Sequence, residues 1–518
     1  MSDRTAQPRR RALHRYTRLL PVDRRDARWL ALAILPAVIA VAVYLATNPY
    51  PAYGAGLYTK IAEEIVAGGY LPPERIPGYT ADGVPFAYPP LQFYVLAVLL
   101  DLGLDAVSLA RVVPGMAVVL AQVPLYLLAR DLSGSRPAGA VAATVVALTP
   151  QAMQWHLSAG GLVRSFAFLY ALLAIYAGYH VFERRRPVPV IGGTAAFGLT
   201  VLTHPTYSLF VVVTYLLWWA VGDRTASGFL RGAVVGVGGL LIASPWLVWV
   251  HAVHGITTLT AAAGTHGGIG GGLVAILLDP PTHAILAGLV ALLLVIRGRR
   301  FLPAWIVVTT FVFVQPRFAA VTAAVGVAVL VAATLEFESP NHDDLPDLGT
   351  AVMTVALVLA AVGGGVYYAH TMTQVNDRMT PSFLDDDAMA AMDWVERETP
   401  KDATFVVLGD TAEEFSAHAD RTILLGPWGV EWTTPAAYDR HLEGFEAVSA
   451  CHSVECVTAV AERVDAAPAY VYVQKGQYTI RGENAVQFGT LERSFEHSGE
   501  WQRVMENDGV VIYRSVDR

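Results

Sequence analysis

Arg164 and Arg317 each stand at the edge of a long apolar stretch, where an ionised side chain is costly enough to mark a functional position. His156 lies close before Arg164, His204 sits in Thr203-His204-Pro205, and Arg317 sits in Gln315-Pro316-Arg317. His251, His254, His266, Asp279 and His283 follow the same habit of gathering at the ends of apolar runs. An earlier polar stretch contributes Lys60, Glu63, Glu64, Glu74, Arg75, Asp82 and Tyr88. The chemistry these types can do is specific. An arginine fork binds phosphate oxygens in a bidentate manner, and a lysine adds a point charge. A carboxylate can take a proton from an acceptor hydroxyl as general base. Arg164, Arg317 and Lys60 are therefore candidates for holding a phosphate, and Asp82, Glu63 and Glu64 for moving the proton. His204, His156 and Tyr88 are candidates for supporting them. Structural roles compete at each position: a lone arginine can snorkel to headgroups, His204, before a proline, can cap freed carbonyls, and Asp82-Gly83 has turn chemistry. Glu63 and Glu64 are adjacent, so at least one should face water. Convergence of carboxylates, histidines and arginines on one membrane face argues for a site. No cofactor is called for, while the carboxylates leave room for a divalent metal ion; Cys451-His452 lacks the second ligand pair a zinc site needs.

The elements that must position these residues are membrane helices. Of 518 residues, 54% are hydrophobic and 15% charged, against nearer a quarter charged in a soluble domain, and mean hydropathy is +0.44. The charge is unevenly spread. From His370 onward lie 26 of the 44 acidic and 12 of the 36 basic residues. The chain thus reads as a cytoplasmic basic N-terminus (1–28), an apolar body (29–369) and an acidic, polar tail (370–518). Only Lys60, Lys401 and Lys475 are lysines, a composition that suggests a salt-adapted, archaeal-type protein. The acidic tail excludes nucleic acid as a partner class.

A bilayer core needs about 20 apolar residues as helix. Spans are expected at 29–46, 107–128, 138–153, 162–182, 188–202, 206–221, 229–250, 282–296, 302–314, 318–335 and 349–368, about eleven in all. Arginines set the orientation, because cytoplasmic loops collect positive charge. Arg9-Arg10-Arg11 and Arg24-Arg25 precede the first span, which reads as a retained anchor with a cytoplasmic N-terminus. Arg130/Arg136, Arg184-Arg185-Arg186, Arg224/Arg231 and Arg297/Arg299-Arg300 then recur wherever an alternating count returns to the cytoplasm. The only charged residues of loop 336–347 are acids, and acids steer topology little. Residues 88–104 are too interrupted by Asp101 to span, and suit an interfacial or re-entrant helix. The outer side then receives the long loop 48–105, the glycine-rich loop 251–272 and the tail.

The tail reads as a small α/β domain. Met389, Met392 and Trp394 have helical spacing within 385–397, stopped by Thr399-Pro400. Residues 404–408, 470–473 and 509–513 read as strands. Cys451 and Cys456, the only cysteines, are either a disulfide, which an outer location permits, or two buried thiols on one helix.

The basic N-terminus, one span, and an outer loop carrying Gly56-Leu57-Tyr58-Thr59-Lys60-Ile61-Ala62-Glu63-Glu64-Ile65 and then Tyr88-Pro89-Pro90-Leu91-Gln92-Phe93-Tyr94 together resemble the GT-C-type integral membrane glycosyltransferases. That class contains protein O-mannosyltransferases and lipid A aminoarabinose transferases. Arg111, followed by a span ending in Tyr126-Leu127-Leu128-Ala129-Arg130, is similar to the family's second span. The resemblance covers roughly 29–182 and implies a mainly α, polytopic membrane fold, to which the tail adds the extracytoplasmic α/β domain read above. It implies sugar transfer from a polyprenyl- or dolichyl-phosphate donor to a glycan, lipid or protein acceptor on the outer face. It also implies a catalytic Asp or Glu early in the first outer loop, where this chain has Gly54-Ala55-Gly56; the role would pass to Glu63, Glu64 or Asp82. Two other classes share the bulk features. A transporter places polar residues near the bilayer midplane, often in repeated halves, and no repeat is visible here. A non-catalytic binding protein on the same scaffold fits the missing acid but leaves Arg164 and Arg317 without a task.

Overall fold

The computed structural model describes residues 22–183, 188–264, 281–313, 315–335, 348–371 and 383–516. Arg9–Arg11, Arg184–Arg186, His266, Asp279 and loop 336–347 lie outside the described residues.

The apolar body is helical. Helix α1 (Asp26–Thr47) leads into a polar excursion of α2 (Gly56–Ala67), strands β1 (Arg75–Ile76) and β2 (Val84–Pro85), and α3 (Leu91–Asp101). Then come α4 (Ala106–Ser133), α5 (Arg136–Ala147), α6 (Pro150–Leu157), α7 (Gly161–Phe182), α8 (Val188–Val201), α9 (Pro205–Val221) and α10 (Ala226–His254). The remaining helices of the body are α11 (Ile256–Gly264), α12 (Thr282–Ile296), α13 (Phe301–Phe313), α14 (Pro316–Leu335) and α15 (Leu348–Thr371). Five of these, α1, α4, α7, α10 and the first part of α14, are long and apolar enough by themselves to cross a membrane. Each expected span falls on a helix, with one difference. The stretch 138–153 is two helices, because Leu148 and Thr149 leave helical geometry and Pro150 opens α6 at its first turn, where its missing N–H costs nothing. Helix α3 has 11 residues, roughly 16 Å at 1.5 Å per residue, about half a bilayer core.

Sequence explains the local choices. Asp105, Ser135 and Thr225 cap α4, α5 and α10 through side-chain oxygens, satisfying N–H groups that have no partner in the first turn. Helix α5 buries Ala138, Ala140, Ala142, Ala143 and Ala147 completely, and small residues let helix backbones approach closely in lipid. Outward faces carry the opposite character: Leu286, Leu289, Leu292 and Ile296 on α12, and Leu241 and Val248 on α10, are all exposed. Exposed apolar surface on that scale belongs against acyl chains.

The C-terminal residues form an α/β unit. Its elements are α16 (Asp386–Glu398), β3 (Thr404–Val407), α17 (Ala412–Ala419), β4 (Thr422–Ile423), α18 (Pro435–Ser449), α19 (Val454–Arg463), β5 (Tyr470–Gln474), β6 (Gly476–Ile480), β7 (Glu483–Gln487), α20 (Thr490–Ser498), β8 (Trp501–Glu506) and β9 (Val510–Ser515). The sheet has order β4-β3-β5-β9-β8, parallel at β4/β3/β5 and antiparallel beyond, while β6 and β7 form a separate hairpin. Cys451 and Cys456, joined by a disulfide with Cα atoms 5.6 Å apart, link the end of α18 to α19.

The polar excursion after α1 is built into this unit. Tyr79 forms a parallel bridge with Ile423 at the β4 edge. Thr80 N–H donates to the Ile423 carbonyl at 3.0 Å, and Ile423 N–H to that of Gly78 at 2.9 Å. One continuous core joins Ile61, Ile65, Phe93 and Leu96 to Met392, Phe405, Phe415 and Tyr472. A loop bound so firmly cannot be repositioned without disturbing the sheet.

Candidate active site

Arg164 is placed by a sharp turn. Helix α6 ends at Leu157, α7 begins at Gly161, and the Ala159 N–H anchors the turn to the Ala52 carbonyl at 2.9 Å. A side chain on Gly161 would crowd Pro114, with a Cβ 2.8 Å from the Pro114 Cβ, and one on Gly160 would collide with the Arg164 guanidinium. Gly160 thus leaves the space that Arg164 fills, and Gly161 lets the turn pack against His156 and Pro114. Its guanidinium lies 5.0 Å over the Trp155 ring, which meets the Tyr53 ring at 4.3 Å in a tilted contact. Tyr53 adopts left-handed backbone at φ 56°, a strained conformation of the kind that gathers at functional sites; its hydroxyl is held by Gln154.

Arg317 follows Pro316 at the start of α14, and its guanidinium lies 5.6 Å over Tyr207 and 5.2 Å over Phe318. The side chain is buried, and among the described residues its Nε has no hydrogen-bond partner. His156 donates from Nδ1 to the Ala152 carbonyl at 2.6 Å, so in the neutral ring Nε2 accepts the Tyr207 hydroxyl, also at 2.6 Å. His204 caps α9 through the Thr206 N–H at 3.3 Å, and its ring meets Tyr207 at 5.3 Å and Tyr88 at 5.9 Å edge-on. Tyr88 in turn packs against Tyr58 and Trp432. Arg317, Tyr207, His204, Tyr88, Tyr58 and Arg164 therefore form one polar-aromatic belt. Arg164 and Arg317 lie within electrostatic reach of each other, and among the described residues neither forms an ion pair with a carboxylate. Guanidinium groups without an ion-pair partner are chemically suited to receive an anion.

The C-terminal unit closes this belt with acids. Arg164 is within electrostatic reach of Glu413, and also of Glu431. Glu413 lies in the first turn of α17, and Glu431 lies in a short turn of helix, Val430–Trp432, that Gly429 opens. Both side chains, like Arg164, Tyr58 and Tyr88, keep partial exposure at depth, as residues lining an internal cleft do. Burial, reinforced by Glu414 and Asp410, holds the Glu413 carboxyl well above the usual carboxylate range, against the pull of Arg481. Burial pushes the Glu431 carboxyl up to about 7, partly countered by backbone N–H groups. Arg481 reaches the pair from the β6–β7 turn, whose N–H groups Asp410 receives at 2.9 and 2.7 Å.

The carboxylates expected from the first loop are employed elsewhere. Lys60 binds Asp420 at 2.8 Å, with Glu63 at 3.6 Å and Glu64 at 4.0 Å, so these three face the C-terminal end of α17. Asp82 is exposed in the β1–β2 turn, where its carbonyl accepts from Arg75 at 2.7 Å. The structure brings together Arg164, Arg317, His156, His204 and Tyr88, and joins none of Lys60, Glu63, Glu64 or Asp82 to them. It adds Glu413, Glu431, Tyr58 and Tyr207, which sequence reasoning did not select. Glu413-Glu414 looks in sequence like ordinary acid placement at a helix start. Among the described residues no group of three or more His, Cys, Asp or Glu is placed to hold a metal ion.

The other end of the bundle is also more polar than its arginines suggest. Asp26, buried, receives Arg130 at 2.8 Å, Arg136 at 3.0 Å and the Tyr126 hydroxyl at 3.1 Å. These partners neutralise one another, unlike Arg164 and Arg317.

Residues 87–249 match the family model of dolichyl-phosphate-mannose-protein mannosyltransferases. No curated protein matches the chain. Among solved structures, the archaeal oligosaccharyltransferase AglB from Archaeoglobus fulgidus, in complex with an inhibitory peptide and a dolichol-phosphate, matches with a TM-score of 0.54 at 15% identity, covering 87% of this chain and 70% of that one. ArnT from Cupriavidus metallidurans matches with a TM-score of 0.54 at 13% identity, over 93% of this chain and 97% of that one. The mycobacterial arabinofuranosyltransferase AftD matches with a TM-score of 0.56 at 13% identity, over 95% of this chain but 40% of that one.

Proposed function

For a chain with the fold of the GT-C-type membrane glycosyltransferases, we propose transfer of a sugar from a polyprenyl-phosphate-linked donor to a glycan, lipid or protein acceptor on the outer face of the membrane. The observation that carries this reading is the pair Arg164 and Arg317, within electrostatic reach of each other and without an ion-pair partner among the described residues. The acceptor oxygen attacks the anomeric carbon, the bond from that carbon to the phosphate oxygen breaks, and the polyprenyl phosphate leaves with the electron pair. Arg164 and Arg317 receive the charge that grows on the phosphate, a task for preorganised donors in a site closed to bulk water. Tyr207 and His156 hold one face of that site, with Tyr207 under Arg317.

In this reading eleven helices span the bilayer with the N-terminus in the cytoplasm. The C-terminal unit, the α2–α3 excursion and the arginine belt then share the outer side. Comparing surface glycans by mass spectrometry in cells with and without the gene tests it: one glycan class should lose a sugar on deletion and regain it on complementation. An unchanged glycan profile would contradict the reading and favour a non-catalytic binding protein or a transporter.

A further inference from the structure

Resting on that reading, we infer that Glu413, carried by the C-terminal unit, is the base that takes the proton of the acceptor hydroxyl, its carboxylate filling the gap that Gly54 leaves beside the Arg164 belt. The chain between α1 and α2 runs Gly54-Ala55-Gly56 directly under the first turn of α17. A Cβ on Gly54 would collide with the Glu413 carboxylate, its Cγ being 2.7 Å away, and one on Gly56 would stand 2.6 Å from the Glu414 Cα. The two glycines are thus the condition for α17 to approach, and the approach delivers one carboxylate of the pair to each task. Glu414 is fully employed: Oε1 receives the Ala55 N–H at 2.6 Å, and Oε2 faces His418 at 3.7 Å. The Glu413 backbone is also pinned, since its carbonyl accepts the Tyr79 hydroxyl at 2.5 Å. Among the described residues the Glu413 side chain forms no hydrogen bond or ion pair, and Arg164 is within electrostatic reach of it. A second unsatisfied group, Glu431 Oε2, is buried among the same charges.

This placement fits the transfer atom by atom. Glu413 removes the hydroxyl proton as the acceptor oxygen bonds to the anomeric carbon, and the phosphate departs toward Arg164 and Arg317. Burial, Glu414, Asp410 and Glu431 raise the proton affinity of this carboxyl against the pull of Arg481; it acts as base in its ionised form, which a neighbouring cation such as Arg164 favours. The arrangement also gives the C-terminal unit a role in the chemistry itself, since the base reaches the site only when α17 is docked on α2.

The test uses the full chain in cells lacking the gene, with surface glycan composition as one readout and binding of dolichyl phosphate to the purified protein as the other. Glu413→Gln is expected to bind dolichyl phosphate within about threefold of the wild type while restoring the glycan at least about a hundredfold less efficiently. Glu413→Ala combined with Gly54→Asp returns a carboxylate to the vacated space, and recovery above Glu413→Ala alone supports the assignment. Full restoration by Glu413→Gln overturns it and leaves the transferase reading standing. A Glu413→Gln chain that has lost dolichyl phosphate binding as well reveals a structural role and also overturns it. If the wild type itself changes no glycan, the transferase reading fails and this assignment with it.

Discussion

Replacing Arg164 or Arg317 by Gln probes the proposed anion site with little collateral damage. Removing one partner of a buried ion pair ordinarily strands the other charge, at about 3–5 kcal/mol. Here neither arginine has such a partner among the described residues, so that penalty does not arise. What folding loses is the ring contact with Trp155 for Arg164, or with Tyr207 and Phe318 for Arg317, worth about 0.5–2 kcal/mol each. What binding loses is a charge-assisted hydrogen bond to phosphate, about 1.5–3 kcal/mol. At 1.4 kcal/mol per tenfold, each Gln variant should bind dolichyl phosphate about 10- to 150-fold more weakly. Lys should recover only part, because a point charge does not reproduce the fork. The double variant should lose less than the product of the two, since removing one cation relieves repulsion on the other. The assay is equilibrium binding of labelled dolichyl phosphate to protein in lipid nanodiscs, with thermal unfolding as the folding control. Normal binding by both single variants would make the arginines lipid anchors and refute the reasoning.

Three further outcomes follow from the same structure. A single cysteine introduced near Gly499, in a chain whose Cys451 and Cys456 are disulfide-bonded, should react with a membrane-impermeant maleimide on intact cells; labelling only after lysis would invert the orientation. Replacing Cys451 and Cys456 by Ala should destabilise the C-terminal unit by roughly 2 kcal/mol on the loop-entropy model, and unchanged unfolding would contradict that. Burial raises the Glu431 carboxyl from 4.5 to about 7, so the folded state holds a proton that the unfolded chain has lost. Stability should therefore fall as pH rises from about 4.5 to 7, and Glu431→Gln should flatten that decline in a melting-temperature series; a variant with the wild-type slope would refute the assignment.

The parts of the molecule legible in sequence are those governed by local rules. Apolar runs located the helices of the body because lipid demands long apolar stretches, and Arg164 and Arg317 stood out because ions there are expensive. Pro150 was visible, but its power to split 138–153 depends on Leu148 and Thr149 leaving helical geometry, which residue type does not reveal. The acids of the site were harder for a different reason. Glu413 lies far along the chain from Gly54, and no periodicity connects positions that meet only when two units dock. The same distance hid the task of Lys60: read in isolation it was an available cation near a phosphate site, yet Asp420, 360 residues away, claims it. Strand β4 has two residues, too few for any pattern, although it is the edge on which Tyr79 docks.

The central claim is that one cleft holds a lipid-linked phosphate between Arg164 and Arg317 with the Glu413 carboxylate facing it. A cryo-electron microscopy structure of the full chain in nanodiscs with dolichyl phosphate tests that directly. The account predicts phosphate density within hydrogen-bond distance of both guanidinium groups, on the side of the belt lined by Tyr58 and Tyr88. Phosphate bound elsewhere, with Arg164 and Arg317 turned outward to lipid headgroups, would contradict it.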